Sequence, residues 1–511
     1  LIELIKHFDG IRKRGGSAKM EFLIHPNNNF DNTTIMNHIQ FHPVSRRRFI
    51  GTCSACAAGT FLMPGLFAQS FNYPGSGPKL PDVRAKVRII YAYPDPSGPI
   101  WPNIHYDFDG HIKEIRQILE AGCPGVELMH YSTMEGTEVE GKKILAMDEQ
   151  VDGYVVYLAG CLWGNLTETI AASGKPVIIA DNLFAGSGEF LTSFAAARRA
   201  GYPVLAVSSS DTRDLVDAVN CFGCIAKLKN SAILVVGGDV DAGIREVYGT
   251  RVLPVAFEEI NTLYGEINRK DAETIADKWI SEAEKIIEPE KEDIVKAATI
   301  YLAMSKLMEN YQAQAITINC LGGIYSGQMV EAYPCLGFMQ LDNDGLVGAC
   351  EADQRSTMTK LTMTYLAGRP GFISDPVIDT SKNRIIYAHC VASNHMFGPQ
   401  CPANPYHIRS HSEDRKGACN RSLFPLGEMT TTIQFDHNKK QVIFHQGLAV
   451  ENVDEDKACR TKLAVEVKGD INKLFNYWDQ WSWHRVTFFG DLKKPVYNLA
   501  TLMGFEVIEE A

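Results

Sequence analysis

From Val87 onward, short runs of β-branched and aromatic residues alternate with stretches whose apolar positions recur at helical spacing. VRIIYAY, then Val151 to Leu158, Pro176 to Ala180 and Pro203 to Ser208 predict strands, with Gly110 to Ala121 and Asp211 to Leu228 as helices among them. Strands that alternate with helix-length segments predict a parallel α/β layer. A second run begins at Ser231, where SAILVVGGDVDAG takes an apolar strand into a glycine-rich turn. Arg251 to Ala256 and a charged helical stretch from Asp271 to Asn310 follow it. Ala315 to Cys320 predicts another strand, and Arg355 to Ala367 a helix that ends before Gly368 and Pro370. After Asp375 the pattern changes: RIIYAHC, TTTIQFD, QVIFHQG, KLAVEVK and RVTFFG are strand-like runs joined by loops, closed by a helix near Lys494 to Met503. The predicted fold class is α/β, with two Rossmann-like α/β domains followed by a β-barrel-like C-terminal domain. The expected boundaries are an N-terminal extension over 1–80, domains over 81–229 and 230–374, the latter carrying a carboxylate motif, and a β-rich domain over 375–511.

Composition narrows the function class. At 511 residues the chain exceeds what one core can serve, and 45% hydrophobic with 22% charged residues is ordinary for a globular protein. A net charge of −11 argues against nucleic acid, whose recognition needs a basic face to displace counterions. Thirteen cysteines are diluted over a chain rich in apolar residues, so most are expected as buried thiols rather than a disulfide framework. Cys221 and Cys224 have CxxC spacing but fall on a predicted helix without a second pair, which favours packing over redox or metal use. The turn with Gly237, Gly238 and Gly243 does not complete GxGxxG, which weakens a dinucleotide reading.

The N-terminus reads as an address. SRRRFIGTCSACAAGTFLMPGLFAQS, from Ser45, resembles a twin-arginine (Tat) export signal: an arginine pair, a moderately apolar stretch from Phe49 to Ala68 interrupted by Gly51, Gly59, Pro64 and Gly65, and Ala68 as a cleavage residue. Met36 is the expected true start, since Leu1 places the signal too far inside the chain. Asn72 to Pro81 is expected as a linker, and no later segment is apolar enough to span a membrane. Export machinery is thus an expected partner, and the periplasm the expected location.

Between Leu341 and Pro376 the chain places Glu351 and Asp353 just ahead of a helix and Asp375 just beyond the next strand, while WSWHRVTFFGD sets His484 at the start of a strand. One imidazole and two carboxylates with open positions suit Mn²⁺ or another divalent metal, although ligands so far apart in sequence form no local motif such as HExxH. Together with PCLGFMQLDNDGLVGACEAD, FISDP, IIYAHC and the closing LATLMGFEVI, these blocks resemble the L-fucose isomerase and L-arabinose isomerase-like family over the C-terminal third of the chain. That resemblance implies a metal held by Glu351, Asp375 and His484, with Glu351 and Asp375 as catalytic acid and base in aldose–ketose interconversion through an enediol. It also implies a homo-oligomer. His389 is expected as a substrate-binding or outer-shell group, and Trp483, among Trp478 and Trp481, as an aromatic face for sugar. Asp353 is expected to cap or orient its helix. Tyr333 and Gln340 are placed near the cleft, and His395, His407, His411, Arg409 and Arg415 on one long polar loop.

An export signal departs from that family's cytoplasmic, catabolic setting, and the loop from Ala392 to Leu423 carries no recognisable sugar specificity. Three readings follow: a metal-dependent ketol isomerase, a non-catalytic periplasmic carbohydrate-binding protein on the same scaffold, and an oxidoreductase using the Gly237 to Gly243 turn.

Overall fold

The computed structural model describes residues 78–148 and 150–511; the signal-like segment and all but the end of the linker lie outside the described residues. The first sheet contains β1 (Ala85–Ala92), β2 (Val126–Thr133), β3 (Gly153–Leu158), β4 (Val177–Asp181) and β5 (Val204–Val207), in the order β2-β1-β3-β4-β5. All its pairings are parallel. The apolar runs form its centre: every residue of β3 is buried. β2, which the periodicity did not single out, is an edge strand with only Val126 and Thr133 buried, so its sequence VELMHYST lacks a continuous apolar signal.

The second sheet is again parallel, with β6 (Ala232–Val236), β7 (Arg251–Val255), β9 (Ala315–Ile318) and β10 (Val347–Cys350) ordered β10-β9-β6-β7. Its glycine-rich turn is explained by packing. Gly237 adopts φ +67° directly over the Phe257 ring, where a Cβ would sit 2.0 Å from Cζ, and a Cβ on Gly238 would sit 2.9 Å from that of Ala352. Cys221 and Cys224 are buried on the helix Arg213–Lys229, with the Cys224 thiol donating to the Thr362 carbonyl at 3.6 Å.

Two expectations are corrected. The charged stretch 271–310 is two helices, Arg269–Glu282 and Lys291–Asn310, separated by β8 (Lys285–Ile286). Pro289 stands just ahead of the second helix, which Glu290 and Asp293 start as a capping box. The loop 392–423 is not an open polar loop either. It contains β13 (Tyr406–Arg409) and β14 (Cys419–Ser422), which with β8 form a three-stranded sheet. His407 and His411 are buried there, Arg409 is paired with Glu288, and Arg415 with Asp456.

The C-terminal part is a closed antiparallel barrel. β11 (Phe372–Asp379), β12 (Arg384–His389), β15 (Met429–Asp436), β16 (Gln441–Asn452), β17 (Thr461–Val467) and β18 (Arg485–Phe489) pair as β15-β18-β11-β12-β17-β16, and β15 returns to β16 to close the ring. β19 (Glu506–Glu509) adds parallel to β16. Closure leaves only this short appended edge.

Between the second sheet and the barrel lies the helix Gln354–Ala367, buried continuously from Ser356 to Met363 despite its threonines. Thr357 and Thr362 donate back to the carbonyls of Asp353 and Met358, and Thr359 accepts the Phe435 amide, so the buried hydroxyls are satisfied while Met358, Leu361 and Met363 join the apolar core.

At the barrel's far side Glu510, 3% exposed, accepts from Arg485 Nη2 at 2.9 Å and from His445 Nδ1 at 2.9 Å. Burial pushes its carboxyl up, but Arg485 and His445 outweigh burial and hold it at about 2, below the ordinary 4.5. A depressed carboxyl adds stability above its unfolded value and loses it as pH falls through the folded one. This contribution should therefore be complete above pH 4.5 and disappear towards pH 2. Glu510→Gln, which leaves Arg485 buried without a counter-charge, should cost about 3–5 kcal/mol in denaturant unfolding at neutral pH. A change within about 0.5 kcal/mol would show the pair contributes nothing there.

Candidate metal and active site

Four residues scattered through the C-terminal third meet at one end of the barrel. Register explains how. Ser374 of β11 lies opposite Arg485 of β18, so Asp375 comes beside His484, and Asp375 pairs with Ala388 of β12, so His389 is next to it. Glu351 arrives from the other side, one residue beyond β10.

Glu351 is presented by a strained turn. Both Glu351 (φ +62°) and Ala352 (φ +52°) are left-handed, a conformation costing about 1–3 kcal/mol at a residue other than glycine. Asp353 then caps the following helix, with Oδ1 accepting the Ser356 amide at 3.0 Å and Oδ2 the Ser356 hydroxyl at 2.6 Å. The expected cap is therefore present, and the same carboxylate does more. Oδ2 accepts Nδ1–H of His484 at 2.8 Å, which turns the other edge of that imidazole towards Glu351 and Asp375.

Glu351, His389 and His484 each offer a ligand atom within 4.8 Å of the others. His484 Nε2 lies 3.2 Å from Asp375 Oδ1 and 3.7 Å from Glu351 Oε2, and His389 Nε2 lies 3.6 Å from Glu351 Oε1. Both Nε2 atoms are buried without a hydrogen-bond partner and face carboxylate oxygens, and His484 Nε2 with the Glu351 and Asp375 carboxylates fits a divalent cation of intermediate hardness. The two histidines differ in tautomer. His389 Nδ1 accepts the Cys390 amide at 3.0 Å, so its neutral ring carries the proton on Nε2. His484 directs Nδ1–H to Asp353, so Nε2 is the nitrogen that a metal would take by displacing its proton.

The two carboxylates are driven apart electrostatically. Burial raises the Glu351 carboxyl above its ordinary value, eased by His484 and reinforced by Asp375. Asp375 feels burial too, but His484, His389 and the Trp483 indole together hold it below. His389 is pushed down to about 4 by burial and the nearby His484; His484, although desolvated, is pushed up to about 10 by Asp353 and Asp375.

The remaining expected residues divide. Trp483 is exposed and donates its indole N–H to Asp375 Oδ1 at 2.5 Å, so it orients a carboxylate as well as offering a face. Trp478 is buried and packs under the Arg485 guanidinium. Tyr333 and His411 line the cavity that Glu351 and His389 also line. Gln340 does not reach it and accepts the Trp279 indole instead. His395 bonds the Cys401 carbonyl, and His407 faces Glu284. Sequence reasoning missed the cysteines that flank the site, Cys320, Cys335, Cys350, Cys390 and Cys459, which line the same cavity; individually they carry no motif.

The chain is similar to two proteins named sulfoquinovose isomerase, from Priestia aryabhattai and from Priestia megaterium (strain ATCC 12872 / QMB1551). Each is 26% identical over 239 residues, covering 45% of this chain and 52% of the relative. The chain thus spans about half the length of the curated relatives it matches. No family model matches.

Asparagine caps helices as well as aspartate does but forfeits the charge-assisted bond to His484, so Asp353→Asn should cost about 1.5–3 kcal/mol in unfolding free energy. Its amide no longer enforces the His484 tautomer, and Mn²⁺ affinity by calorimetric titration should drop about 10- to 100-fold. Unchanged affinity would reduce Asp353 to a cap.

Proposed function

We propose that the protein is a metal-dependent ketol isomerase that interconverts an aldose and a ketose through an enediol. The observation that carries this reading is the meeting of two carboxylates of unequal proton affinity with two orphaned imidazole nitrogens. Moving a proton between neighbouring carbons needs one group able to take it and return it, and Glu351, with its raised proton affinity, suits that task. Asp375 stays ionised beneath the Trp483 N–H and His484. His389 presents Nε2–H to a substrate oxygen, and its burial keeps the ring neutral.

Glu351, Asp375 and His484 would hold the divalent ion, Mn²⁺ being the first choice, which supplies polarisation of the sugar carbonyl and its neighbouring hydroxyl. The similarity to sulfoquinovose isomerases supports a sugar as substrate and makes sulfoquinovose, an aldohexose carrying a sulfonate, the first to test. The twin-arginine pair at Arg46 and Arg47 supports a periplasmic setting. The similarity to isomerases favours the catalytic reading over a binding protein on the same scaffold.

Turnover of an aldose and ketose panel that includes sulfoquinovose should vanish on metal stripping and return with Mn²⁺. Glu351→Gln should lower kcat by about 10²- to 10⁴-fold even at saturating Mn²⁺. Sugar binding without turnover in the metal-loaded protein would favour the binding-protein reading.

A further inference from the structure

The cavity that Glu351 and His389 line has a further wall, made by the turn between β13 and β14. His411 stands there, 4% exposed, and the turn is tied at both ends: its amide donates to the Lys416 carbonyl at 2.8 Å and its carbonyl accepts the Arg415 amide at 3.1 Å. Arg460 anchors the preceding residue, donating to the Ser410 carbonyl at 2.8 Å. Nδ1 of His411 is buried and faces Asp414 Oδ1 at 3.5 Å, and the residue lines the cavity.

Asp414 is itself held. Its Oδ2 accepts the Tyr333 hydroxyl and its Oδ1 the Lys416 amide. The Tyr333 ring packs against the imidazole with centroids 5.3 Å apart. Gly417, at φ +58°, lies so close to that ring that a Cβ would fall 2.1 Å from Tyr333 Cδ2, so only glycine lets the turn and the tyrosine meet. A buried imidazole that faces an anchored carboxylate and lines a cavity shared with Glu351 is the arrangement of a proton-transfer group. The steps of the ketol isomerisation assigned above leave this group without a task.

We propose that His411 is a further catalytic residue, the one that opens the cyclic sugar, with Asp414 and Tyr333 as its positioning residues; this rests on the isomerase reading. Aldohexoses exist almost wholly as cyclic hemiacetals, whereas the isomerisation step needs a free carbonyl. His411 Nε2 takes the proton of the anomeric hydroxyl. The carbonyl forms at C1 as the bond from C1 to the ring oxygen breaks, and the electron pair goes to that oxygen. The imidazolium then returns the same proton to it, so the step is internally balanced and needs no co-reactant. Burial keeps the imidazole below its ordinary proton affinity, against the pull of Asp414 and Glu413, so the ring is neutral and able to accept.

The test follows anomer exchange and isomer formation separately. With sulfoquinovose as probe, NMR saturation transfer between its α and β anomers measures ring opening, and ketose formation measures isomerisation. Wild-type protein loaded with Mn²⁺ should accelerate anomer exchange, and His411→Gln should return it to the spontaneous rate while lowering isomerisation by about a hundredfold. Glyceraldehyde, too short to close a stable ring, supplies the contrast. His411→Gln should lower its turnover far less than that of the hexose, whereas Glu351→Gln should lower both alike. Asp414→Asn should follow His411→Gln in this ratio, with thermal melting checking that each variant folds. Anomer exchange that survives in His411→Gln, or equal losses on both sugars, would overturn the proposal. Anomer exchange that depends on His411 without ketose formation would sustain it while removing the isomerase reading.

Discussion

The site hangs on the carboxylate of Asp353. It ends a turn in which Glu351 and Ala352 are both left-handed, starts the helix Gln354–Ala367 by capping Ser356, and reaches across to His484 of the barrel. The strain of two left-handed residues, about 1–3 kcal/mol each, persists only where surrounding structure fixes it. The cap offsets about 1 kcal/mol and the charge-assisted bond to His484 about 1.5–3 kcal/mol, comparable with the strain itself. One side chain thus joins the sheet that supplies the glutamate to the barrel that supplies the other ligands. Gly238 leaves room for Ala352 behind the turn, which gives the glycine-rich segment a structural use next to the chemistry.

Two buried ion pairs support the halves that Asp353 joins. Beneath β10, Lys360 and Asp342, each 1% exposed at the side chain, meet at 2.7 Å, and the ammonium also donates to the Gly348 carbonyl inside the strand that leads to Glu351. Beneath β18, Arg485 and Glu510 meet at 2.9 Å, and the guanidinium gathers the carbonyls of Trp478, Ser482 and His484. Desolvation offsets most of the attraction in such pairs, so they are weak sources of net stability. Their visible effect here is geometric: each fixes the backbone that carries one side of the site. The carboxylates and imidazoles are thus placed by strands and one fixed turn before any ligand arrives.

The parts of the fold that sequence periodicity reached were those whose signal is local. The apolar run AILVV reads as a buried strand, and RIIYAHC to RVTFFG, strand after strand without long helices between, indicated the barrel. Where the signal was diluted the reading failed. VELMHYST is an edge strand whose half-wet faces obscure the alternation, β13 and β14 are too short and polar to stand out in a loop, and Pro289 inside a charged stretch marked a break that periodicity ran past.

By itself the sequence determined the alternation of strands and helices, the change to a strand-rich C-terminal part, and the residue types able to hold a divalent ion, because all of these depend on near neighbours along the chain. It also named Glu351, Asp375, His389 and His484, through family resemblance rather than spacing. Only the tertiary structure decided that these four share one end of a barrel, since strand register and ring closure bring together residues more than a hundred positions apart. The same holds for the division of labour between the imidazoles. Which nitrogen of His389 or His484 faces the site depends on where the Cys390 amide and the Asp353 carboxylate lie in space, and no one-dimensional pattern carries that information.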